Sequence, residues 1–420
     1  MKRSPIQPVK GTRDFYPEAM AQRVWLYERI RVVARRFGYQ EYEGPILEPI
    51  ALYAAKSGDE LVKEQAFVLT DRGGDELAMR PELTPTLARM VAQKQAQLPR
   101  PIRWWSFGPF WRYERPQKGR TREFFQWNID LLGVDDPRAD AELIAIAASF
   151  FREAGLGDGQ AILQVSNRRL MDRCLADLGI EADVKKLAFR LIDKRDKLEP
   201  AKWADYGGSL GFSAAQLDAL SRLLENRELW RESDELVALF EILEAYEVSG
   251  MVRYEPSVIR GLDYYTGTVF EARDADGEFR AILGGGRYDN LVADLGGDPV
   301  PGVGFAMGDV VVSLVLQKYG RLPVLRPAPA RALVTIFSPE LSLDAVRAAM
   351  RLRAAGVDVE IYPEPAKMAK QVRYADQLGI PFAVILGPDE AAQGRVALKE
   401  LASGEQTSLT IEEAAARLRS

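Results

Sequence analysis

Residues 103–132 read RWWSFGPFWRYERPQKGRTREFFQWNIDLL. Aromatic and branched residues, which are typical of strands, fill both ends of this stretch. Between the two ends lie Pro116 and Gly119, and both residue types are typical of turns. The pattern predicts a long antiparallel hairpin, with strands at Arg103–Arg112 and Glu123–Leu132.

The loop of this hairpin is dense in positive charge, because five of the eleven residues from 112 to 122 are lysine or arginine. A charge run of this kind is usually a solvated surface. Here the flanking strands are aromatic, so some of the arginines should start from buried positions, where each needs an anionic partner. Glu114 and Glu123 can satisfy only some of them. We therefore favour a loop that binds phosphate or nucleic acid over a purely solvated one.

The bulk composition is that of an ordinary globular protein, with 420 residues, 47% hydrophobic, 28% charged and a net charge of −5. This length predicts about three domains. No apolar run approaches the roughly 18–20 residues that span a bilayer, and no apolar signal core follows the opening Met1–Pro5. We therefore expect a cytoplasmic protein without a membrane partner. A local basic patch would be sufficient for nucleic-acid binding despite the net charge.

Two residue types that carry much enzyme chemistry are scarce. Cys174 is the single cysteine, which excludes an internal disulfide, and the chain contains no histidine. A conventional zinc site therefore has almost no ligands left. The Ser-His and Cys-His nucleophile pairs and histidine acid/base catalysis are excluded. The remaining chemistry favours a reaction in which the substrate brings its own nucleophile and the protein supplies position and charge.

Helical spacing of apolar residues predicts a helix over 19–37 that ends at Gly38, a second helix over 140–155 and an inserted helical module over about 170–250. Strand character returns afterwards at Tyr265–Ala272 and Phe279–Leu283.

Two glycine-rich stretches follow, at 284–286 and 302–308. Neither matches a nucleotide-binding loop, and each predicts a tight turn or close strand packing.

A proline-rich segment over 322–330 predicts a linker between a first domain, 1–321, and a second, 331–420. In the second domain the strand and helix patterns alternate, which predicts an α/β fold with parallel strands. The predicted strands are Ala332–Phe337, Val357–Tyr362, Phe382–Gly387 and Val396–Leu401, and the predicted helices are Leu343–Ala355, Lys367–Leu378 and Ile411–Leu418.

The segment RGLDYYTGTVFE over 260–271 has the composition of a ligand pocket. Arg260 offers a planar fork of donors that suits carboxylate or phosphate. Tyr264 and Tyr265 offer flat walls with hydroxyl groups, and the glycines let the backbone approach a ligand closely. We expect this segment to bind a small zwitterion beside a phosphate.

The stretch RPELTPT over 80–86 has two interpretations. Thr84 fits a helix-capping motif. The capping interpretation explains Glu82 less well. The carboxylate of Glu82 is suited to bind an ammonium group.

Together these segments resemble the class II aminoacyl-tRNA synthetases and, among them, the histidyl-tRNA synthetase family. The resemblance runs nearly from end to end. GTRDFYP over 11–17 is similar to the family's opening, and the helix and strand up to Pro45 are similar to the first class motif at the dimer interface. The 112–133 hairpin is similar to the second motif, and 260–271 are similar to the histidine-specific signature. Gly284–Asp289 and Pro301–Gly308 are similar to the approach to the third motif, and Tyr374–Asp376 and Lys399–Leu401 are similar to the anticodon-binding module.

The resemblance implies an α+β catalytic domain with an antiparallel sheet and a helical insertion, followed by an α/β anticodon-binding domain. It implies a histidine–tRNA ligase that forms histidyl-adenylate from L-histidine and ATP and then transfers histidine to the 3′ end of tRNA(His). It further implies a homodimer, and Mg²⁺ that accompanies ATP without protein side chains as ligands.

The resemblance also implies roles for individual residues. These are Arg260 and Arg112 in catalysis; Glu82, Leu83, Thr84, Arg112, Gln126, Asp130, Arg260, Tyr264 and Tyr265 in histidine binding; Arg112, Glu114 and Arg120 in ATP binding; and Arg115 and Gln117 at the tRNA acceptor end. Among them, Arg260 would stabilise charge that develops on the α-phosphate. Asp130 and Tyr264 would hydrogen-bond the imidazole nitrogens.

Three positions depart from the most common family pattern. Asp130 and Leu83 stand where many bacterial members have glutamate and glycine, as in another branch of the family. Val311 stands where the third motif usually has an arginine that stacks on adenine. An alternative function is a non-catalytic regulatory subunit of ATP phosphoribosyltransferase. The absence of the third-motif arginine suits this alternative, whereas Arg112, Glu82, the segment Arg260–Glu271 and the C-terminal domain argue against it.

Overall fold

A computed structural model of the chain describes residues 6–54, 65–117, 119–181, 184–259, 264–325 and 328–419. Two compact units are present. The first is built mainly on Trp25–Leu322, and the second combines Phe15–Val24 with the residues from Pro323 onward. No helix in the described ranges is both long enough and apolar enough to span a bilayer.

The strands of the first unit are β1 (Gln40–Glu41), β2 (Leu47–Pro49), β3 (Phe67–Thr70), β4 (Glu76–Met79), β5 (Ile102–Trp111), β6 (Glu123–Leu132), β7 (Ala161–Asn167), β8 (Val252–Tyr254), β9 (Thr268–Asp274), β10 (Leu283–Tyr288) and β11 (Gly302–Gly308). The helices up to the end of this unit are α1 (Pro17–Arg36), α2 (Ile50–Ala54), α3 (Thr84–Lys94), α4 (Pro137–Glu153), α5 (Arg168–Asp177), α6 (Lys185–Asp193), α7 (Pro200–Ser209), α8 (Ala214–Glu225), α9 (Asp234–Ala245), α10 (Leu291–Asp294) and α11 (Asp309–Lys318).

Eight of these strands form one sheet in the order β1-β5-β6-β11-β10-β9-β7-β8. The β1–β5 and β7–β8 pairs are parallel, and every other neighbouring pair is antiparallel. The predicted hairpin is confirmed: β5 and β6 pair from Ile102↔Leu132 to Trp111↔Glu123. A separate three-stranded sheet has the order β2-β4-β3.

Strand β6 presents one face to the main hydrophobic core and the other to buried polar side chains. Successive side chains in a strand point to opposite faces. Trp127, Ile129 and Leu131 enter the main hydrophobic core, where α4 packs on β6, β7 and β11. The intervening residues Asn128 and Asp130 are buried polar side chains on the opposite face. The same face is covered by a smaller cluster that includes residues of α3 and α10.

Close packing explains the glycine-rich strands. A Cβ on Gly285 would lie 2.3 Å from the carbonyl oxygen of Gly304 and 2.8 Å from Phe270 Cζ. Glycine therefore lets β10 and β11 lie against their neighbours. Of the two interpretations offered for these stretches, close strand packing is confirmed for 284–286.

The region 170–250 is helical as predicted, and its described residues form α5 to α9 with short 3₁₀ segments. Its helices bury leucines in the main core, including Leu220, Leu236 and Leu239.

The elements of the second unit are β12 (Ala332–Val334), α12 (Ser342–Ala354), β13 (Val359–Ile361), α13 (Met368–Gln377), β14 (Phe382–Ile385), α14 (Pro388–Gln393), β15 (Arg395–Glu400), β16 (Gln406–Thr410) and α15 (Ile411–Arg419). Its sheet has the order β13-β12-β14-β15-β16. Ala332 and Val334 pack with α12 and α15, whereas Leu333 packs with α13 on the other face. The α/β class is therefore confirmed.

The structure corrects four local predictions. Residues 279–282 are not a strand, because the strand begins at Leu283, and β9 begins at Thr268 rather than Tyr265. The C-terminal sheet is parallel only in β13-β12-β14. Strands β15 and β16 are antiparallel, because a tight turn containing Gly404 with a φ of 75° joins them. Thr84 does not cap α3, since Leu83 is the capping residue and makes no side-chain cap bond.

Candidate active site

The first feature of the pocket is a hydrogen bond between two distant segments. The hydroxyl of Tyr264 donates to Oε2 of Glu82 at 3.1 Å, and both side chains are buried. Thr84 lies close enough to Tyr264 to oppose part of the rise in its pKa. Burial, followed by the charge of Glu82, raises the pKa of Tyr264 well above its ordinary value, so the hydroxyl stays neutral. The start of α3 and the residues before β9 therefore share one polar cluster.

A second buried carboxyl group lies on the same face of the sheet. Asp130 is on β6, and its Oδ1 accepts a hydrogen bond from the hydroxyl of Tyr288 at 2.6 Å. Burial raises the pKa of Asp130 to about 7, and the bond from Tyr288 opposes that shift. This carboxyl therefore changes charge near neutral pH. Gly304 makes room for it, because a Cβ there would lie 2.0 Å from Asp130 Oδ1.

Tyrosine rings connect the two carboxyl groups. The ring of Tyr264 lies edge-on to that of Tyr288, with centroids 6.0 Å apart, and edge-on to that of Tyr265 at 5.1 Å. Edge-to-face contacts of this kind are favourable and directional. The result is an aromatic wall with Glu82 at one end and Asp130 at the other.

Arg112 lies where the first strand of the hairpin ends. Its Nε donates to the carbonyl oxygen of Pro81 at 3.0 Å, and its guanidinium lies over the ring of Phe124, 5.3 Å from the centroid. Its two terminal nitrogens have no hydrogen-bond partner among the residues that the structure describes. The arginine is thus held by its stem while its terminal donors remain available to a ligand.

The hairpin loop contains an ion pair between Arg120 and Glu114 at 2.7 Å. Arg115 and Gln117 are exposed at the loop, and Gln117 bridges to Arg120 through the backbone. Arg122 lies over the ring of Tyr113 at 4.2 Å. The arginines of this loop are therefore partly partnered inside the loop and partly open to solvent.

Three further predicted residues lie near these groups in the chain or the sheet. Leu83 is fully buried in the turn before α3, Tyr265 is half-buried beside Tyr264, and Gln126 is a half-buried residue on β6. Arg260 lies outside the described residues, as do Gly261, Leu262 and Asp263.

The predicted third-motif position is apolar. Val311 is a buried residue of α11, and a Cβ on Gly119 would lie 3.6 Å from its Cγ2. The start of α11 is instead organised by Asp309. This residue accepts from the backbone N–H of Phe125 at 2.9 Å and from Nη2 of Arg13 at 2.8 Å. Helix α11 is thereby tied both to β6 and to the GTRDFYP segment.

Sequence reasoning missed Tyr288, Gly304 and Tyr42. Tyr42 is half-buried within electrostatic reach of Asp130, and its buried hydroxyl has no hydrogen-bond partner among the described residues. Tyr288 belongs to a stretch that was singled out only for its glycines. A tyrosine beside three glycines was the available signal, because a large polar side chain there must have a partner when buried.

A search for metal ligands among the described residues finds no group of three or more histidine, cysteine, aspartate or glutamate side chains placed to hold an ion.

Comparison with protein families agrees with this architecture. A family model described as histidyl-tRNA synthetase matches residues 11–309, and one described as an anticodon binding domain matches residues 331–420. The curated histidine–tRNA ligase of Halobacterium salinarum is 39% identical, with 96% of this chain and 95% of the relative covered. The chloroplastic/mitochondrial histidine–tRNA ligase of Arabidopsis thaliana is 36% identical, with 96% and 85% covered.

Solved structures show the same similarity. The histidyl-tRNA synthetase of a Nostoc species matches with a TM-score of 0.86 at 26% identity, covering 100% of this chain and 99% of that one. A Bacillus halodurans protein described as an ATP phosphoribosyltransferase regulatory subunit/histidyl-tRNA synthetase matches with a TM-score of 0.74 at 23% identity, covering 89% and 97%. The second likeness shows a shared fold alone.

Proposed function

Since this chain belongs to the histidyl-tRNA synthetase family, we propose that the pocket between Glu82 and Asp130 binds L-histidine and presents its carboxylate to ATP. The chain is a histidine–tRNA ligase, which uses ATP to activate the amino acid and attaches it to tRNA.

The observation that supports this pocket is the aromatic wall with a carboxyl group at each end. Glu82 binds the α-ammonium group, together with Thr84. Asp130 accepts the N–H of the imidazole, and Tyr264 donates to the other ring nitrogen once its single O–H turns from Glu82, whose carboxylate then pairs with the ammonium group. An amino acid without an imidazole would leave these buried polar groups unpaired, and that penalty can reach about 10⁴–10⁵-fold in discrimination.

The terminal nitrogens of Arg112 bind the carboxylate of histidine and the α-phosphate of ATP. A guanidinium suits both groups, because its planar fork donates two parallel hydrogen bonds. Contact with Pro81 and Phe124 holds the guanidinium before substrate arrives, so little is reorganised during the reaction.

The reaction needs no nucleophile from the protein. A carboxylate oxygen of histidine attacks the α-phosphorus, the bond to the β,γ-phosphates breaks, and pyrophosphate leaves. The terminal ribose hydroxyl of tRNA(His) then attacks the activated carbonyl, and AMP leaves. Arg260 stabilises the charge on the α-phosphate in the first step. Glu114 and Arg120 lie against ATP, and Mg²⁺ arrives with the phosphates, since it commonly binds mainly to substrate phosphates and water.

Other features belong to the same proposal. Arg115 and Gln117 contact the acceptor end of the tRNA, and 331–420 contacts its anticodon. Residues 1–321 form the catalytic domain, with the helical insertion at about 170–250, and 322–330 form the linker. The working protein is a cytoplasmic homodimer.

The alternative of a regulatory subunit of ATP phosphoribosyltransferase is less supported. Curated histidine–tRNA ligases match the chain over nearly its whole length, and 331–420 match an anticodon binding domain.

Charging of tRNA(His) tests the proposal. Purified protein, tRNA(His), ATP, Mg²⁺ and labelled histidine should yield acid-precipitable histidyl-tRNA, and omission of ATP should abolish it. A protein that binds histidine but transfers none to tRNA would contradict the proposal and favour the regulatory alternative.

A further inference from the structure

Arg280 is an exposed arginine that has no part in the pocket described above. It lies in the connection between β9 and β10, three residues before Leu283. Within the described ranges its guanidinium makes no hydrogen bond or ion pair. An arginine of this kind is either simply solvated or available to a ligand, and its surroundings distinguish the two.

The sheet register places Arg280 at the end of the central strands where ATP is proposed to bind, beside the hairpin loop. Leu283 pairs with Met307, the next residue along β11 is Gly308, and Gly308 pairs with Gln126. The connection that carries Arg280 therefore leaves the sheet on the same side as the hairpin loop and the start of α11.

Arg280, Arg120 and Glu114 together carry an excess of positive charge. Arg120 and Glu114 form an ion pair, and both lie within electrostatic reach of Arg280. Partial burial and then the charge of Arg120 lower the pKa of Arg280, whereas Glu114 raises it. Two guanidinium groups thus share one carboxylate. A bound polyanion would relieve the repulsion.

We propose that Arg280 is a further ATP-contacting residue, which pairs with the phosphates of ATP beside Arg120. This inference rests on the proposed function, because it takes this edge as the ATP side of the site. The contact supplies positive charge from the β9–β10 connection, a segment outside the three class motifs.

The test compares Arg280→Ala, Arg280→Lys and a matched control, Arg253→Ala. Arg253 is also an exposed arginine without an ion pair or hydrogen bond to any described residue, but it lies on β8 at the far edge of the sheet. The measurement is histidine-dependent exchange of pyrophosphate into ATP. We expect Arg280→Ala to raise the KM for ATP about tenfold, the size of one lost charge-assisted contact, with the KM for histidine changed less than about twofold.

The lysine variant identifies the contacted part of ATP. Lysine keeps the positive charge but lacks the planar guanidinium group. Pairing with phosphate therefore predicts a smaller rise in the KM for ATP in Arg280→Lys than in Arg280→Ala. Equal losses in the two variants would indicate stacking on the base and overturn the proposal. An unchanged KM for ATP in Arg280→Ala, or an equal rise in both KM values, would also overturn it.

Equilibrium binding of ATP gives a readout that does not need turnover. Arg280→Ala should bind ATP about tenfold more weakly than the unmodified protein and Arg253→Ala. If the unmodified protein binds ATP but shows no exchange with histidine, the proposed function fails, while the binding comparison still decides the role of Arg280.

Discussion

The hydroxyl of Tyr264 donates a hydrogen bond to Glu82 at 3.1 Å across 182 residues of sequence. The contact joins the turn before α3 to the segment before β9. Both residues are buried, so the carboxylate is fixed in place before any substrate binds. A site for an ammonium group is thereby assembled from two segments that sequence reasoning had treated separately.

Replacement of Tyr264 by phenylalanine should weaken recognition of histidine. The change removes the donor to Glu82 and the proposed bond to the imidazole, while the ring contacts with Tyr265 and Tyr288 stay. Loss of a hydrogen bond to a charged group costs about 1.5–3 kcal/mol, so kcat/KM for histidine should fall at least about tenfold. Steady-state exchange kinetics measure this fall. An unchanged kcat/KM for histidine, or an equal fall in kcat/KM for ATP, would show that Tyr264 does not contact the amino acid.

The charge of Asp130 should control the pH dependence of histidine use. Because burial raises the pKa of Asp130 to about 7, the side chain is mostly neutral below that pH and mostly ionised above it. An imidazole N–H bonds more strongly to a carboxylate than to a neutral acid. We therefore expect kcat/KM for histidine to rise with pH through about 7 and then to level off.

Asp130→Asn is the control for that profile, because free histidine itself titrates near pH 6.5. The substrate contributes equally to both proteins, and the asparagine does not titrate. The ratio of kcat/KM between the original protein and the variant should thus increase with pH. A ratio that stays constant from about pH 6 to about pH 8 would contradict the role of Asp130.

Gly304 should be intolerant of a side chain. A Cβ at this position would lie 2.0 Å from Asp130 Oδ1 and 2.8 Å from the carbonyl oxygen of Ile129. Overpacking of a buried site typically costs about 1–3 kcal/mol. Gly304→Ala should therefore lower the free energy of unfolding and weaken histidine binding together.

Gly308→Ala provides the comparison, since it lies on the same strand and, apart from its chain neighbours, no described residue would have an atom within 4 Å of its Cβ. Its φ of −79° suits alanine as well. Thermal or urea unfolding should show a loss for Gly304→Ala only. Equal stability of the two variants would mean that Asp130 moves aside without cost.

Arg115 should matter for tRNA but not for activation. Its side chain is exposed at the hairpin loop, away from the Glu82–Tyr264 contact. Arg115→Ala should leave pyrophosphate exchange unchanged and reduce kcat/KM for tRNA(His) severalfold. The salt dependence of tRNA binding should weaken by about one unit in the log–log slope, as expected when one phosphate contact is lost. A loss of exchange activity would instead place Arg115 in the activation site.

The spacing of apolar residues in the sequence was sufficient to predict the helices and strands that bury one continuous apolar face. The β5–β6 hairpin was predictable because aromatic residues fill both strands, and the helices of 170–250 because their leucines recur at helical spacing. Strand β10 was predicted too early in the chain, because its pairing depends on neighbours that are distant in sequence, and strand β16 was not predicted. Glycine in β10 fits a strand only when Gly304 and Phe270 lie against it.

The pocket was predictable only in part, because its contacts also join residues that are distant in sequence. The resemblance to a family supplied Glu82, Asp130 and Tyr264 as separate positions along the chain. No local pattern could show that Tyr288 donates to Asp130, since 158 residues separate them. That contact exists only after β6, β10 and β11 pair.

Pyrophosphate exchange across all twenty amino acids tests the central claim most directly. The protein would be incubated with ATP, Mg²⁺, labelled pyrophosphate and one amino acid at a time. We expect label to enter ATP with histidine alone, because the Glu82–Tyr264 and Asp130–Tyr288 pairs suit an amino acid with an imidazole ring. Exchange with another amino acid in place of histidine, or with none, would contradict the assignment of this pocket.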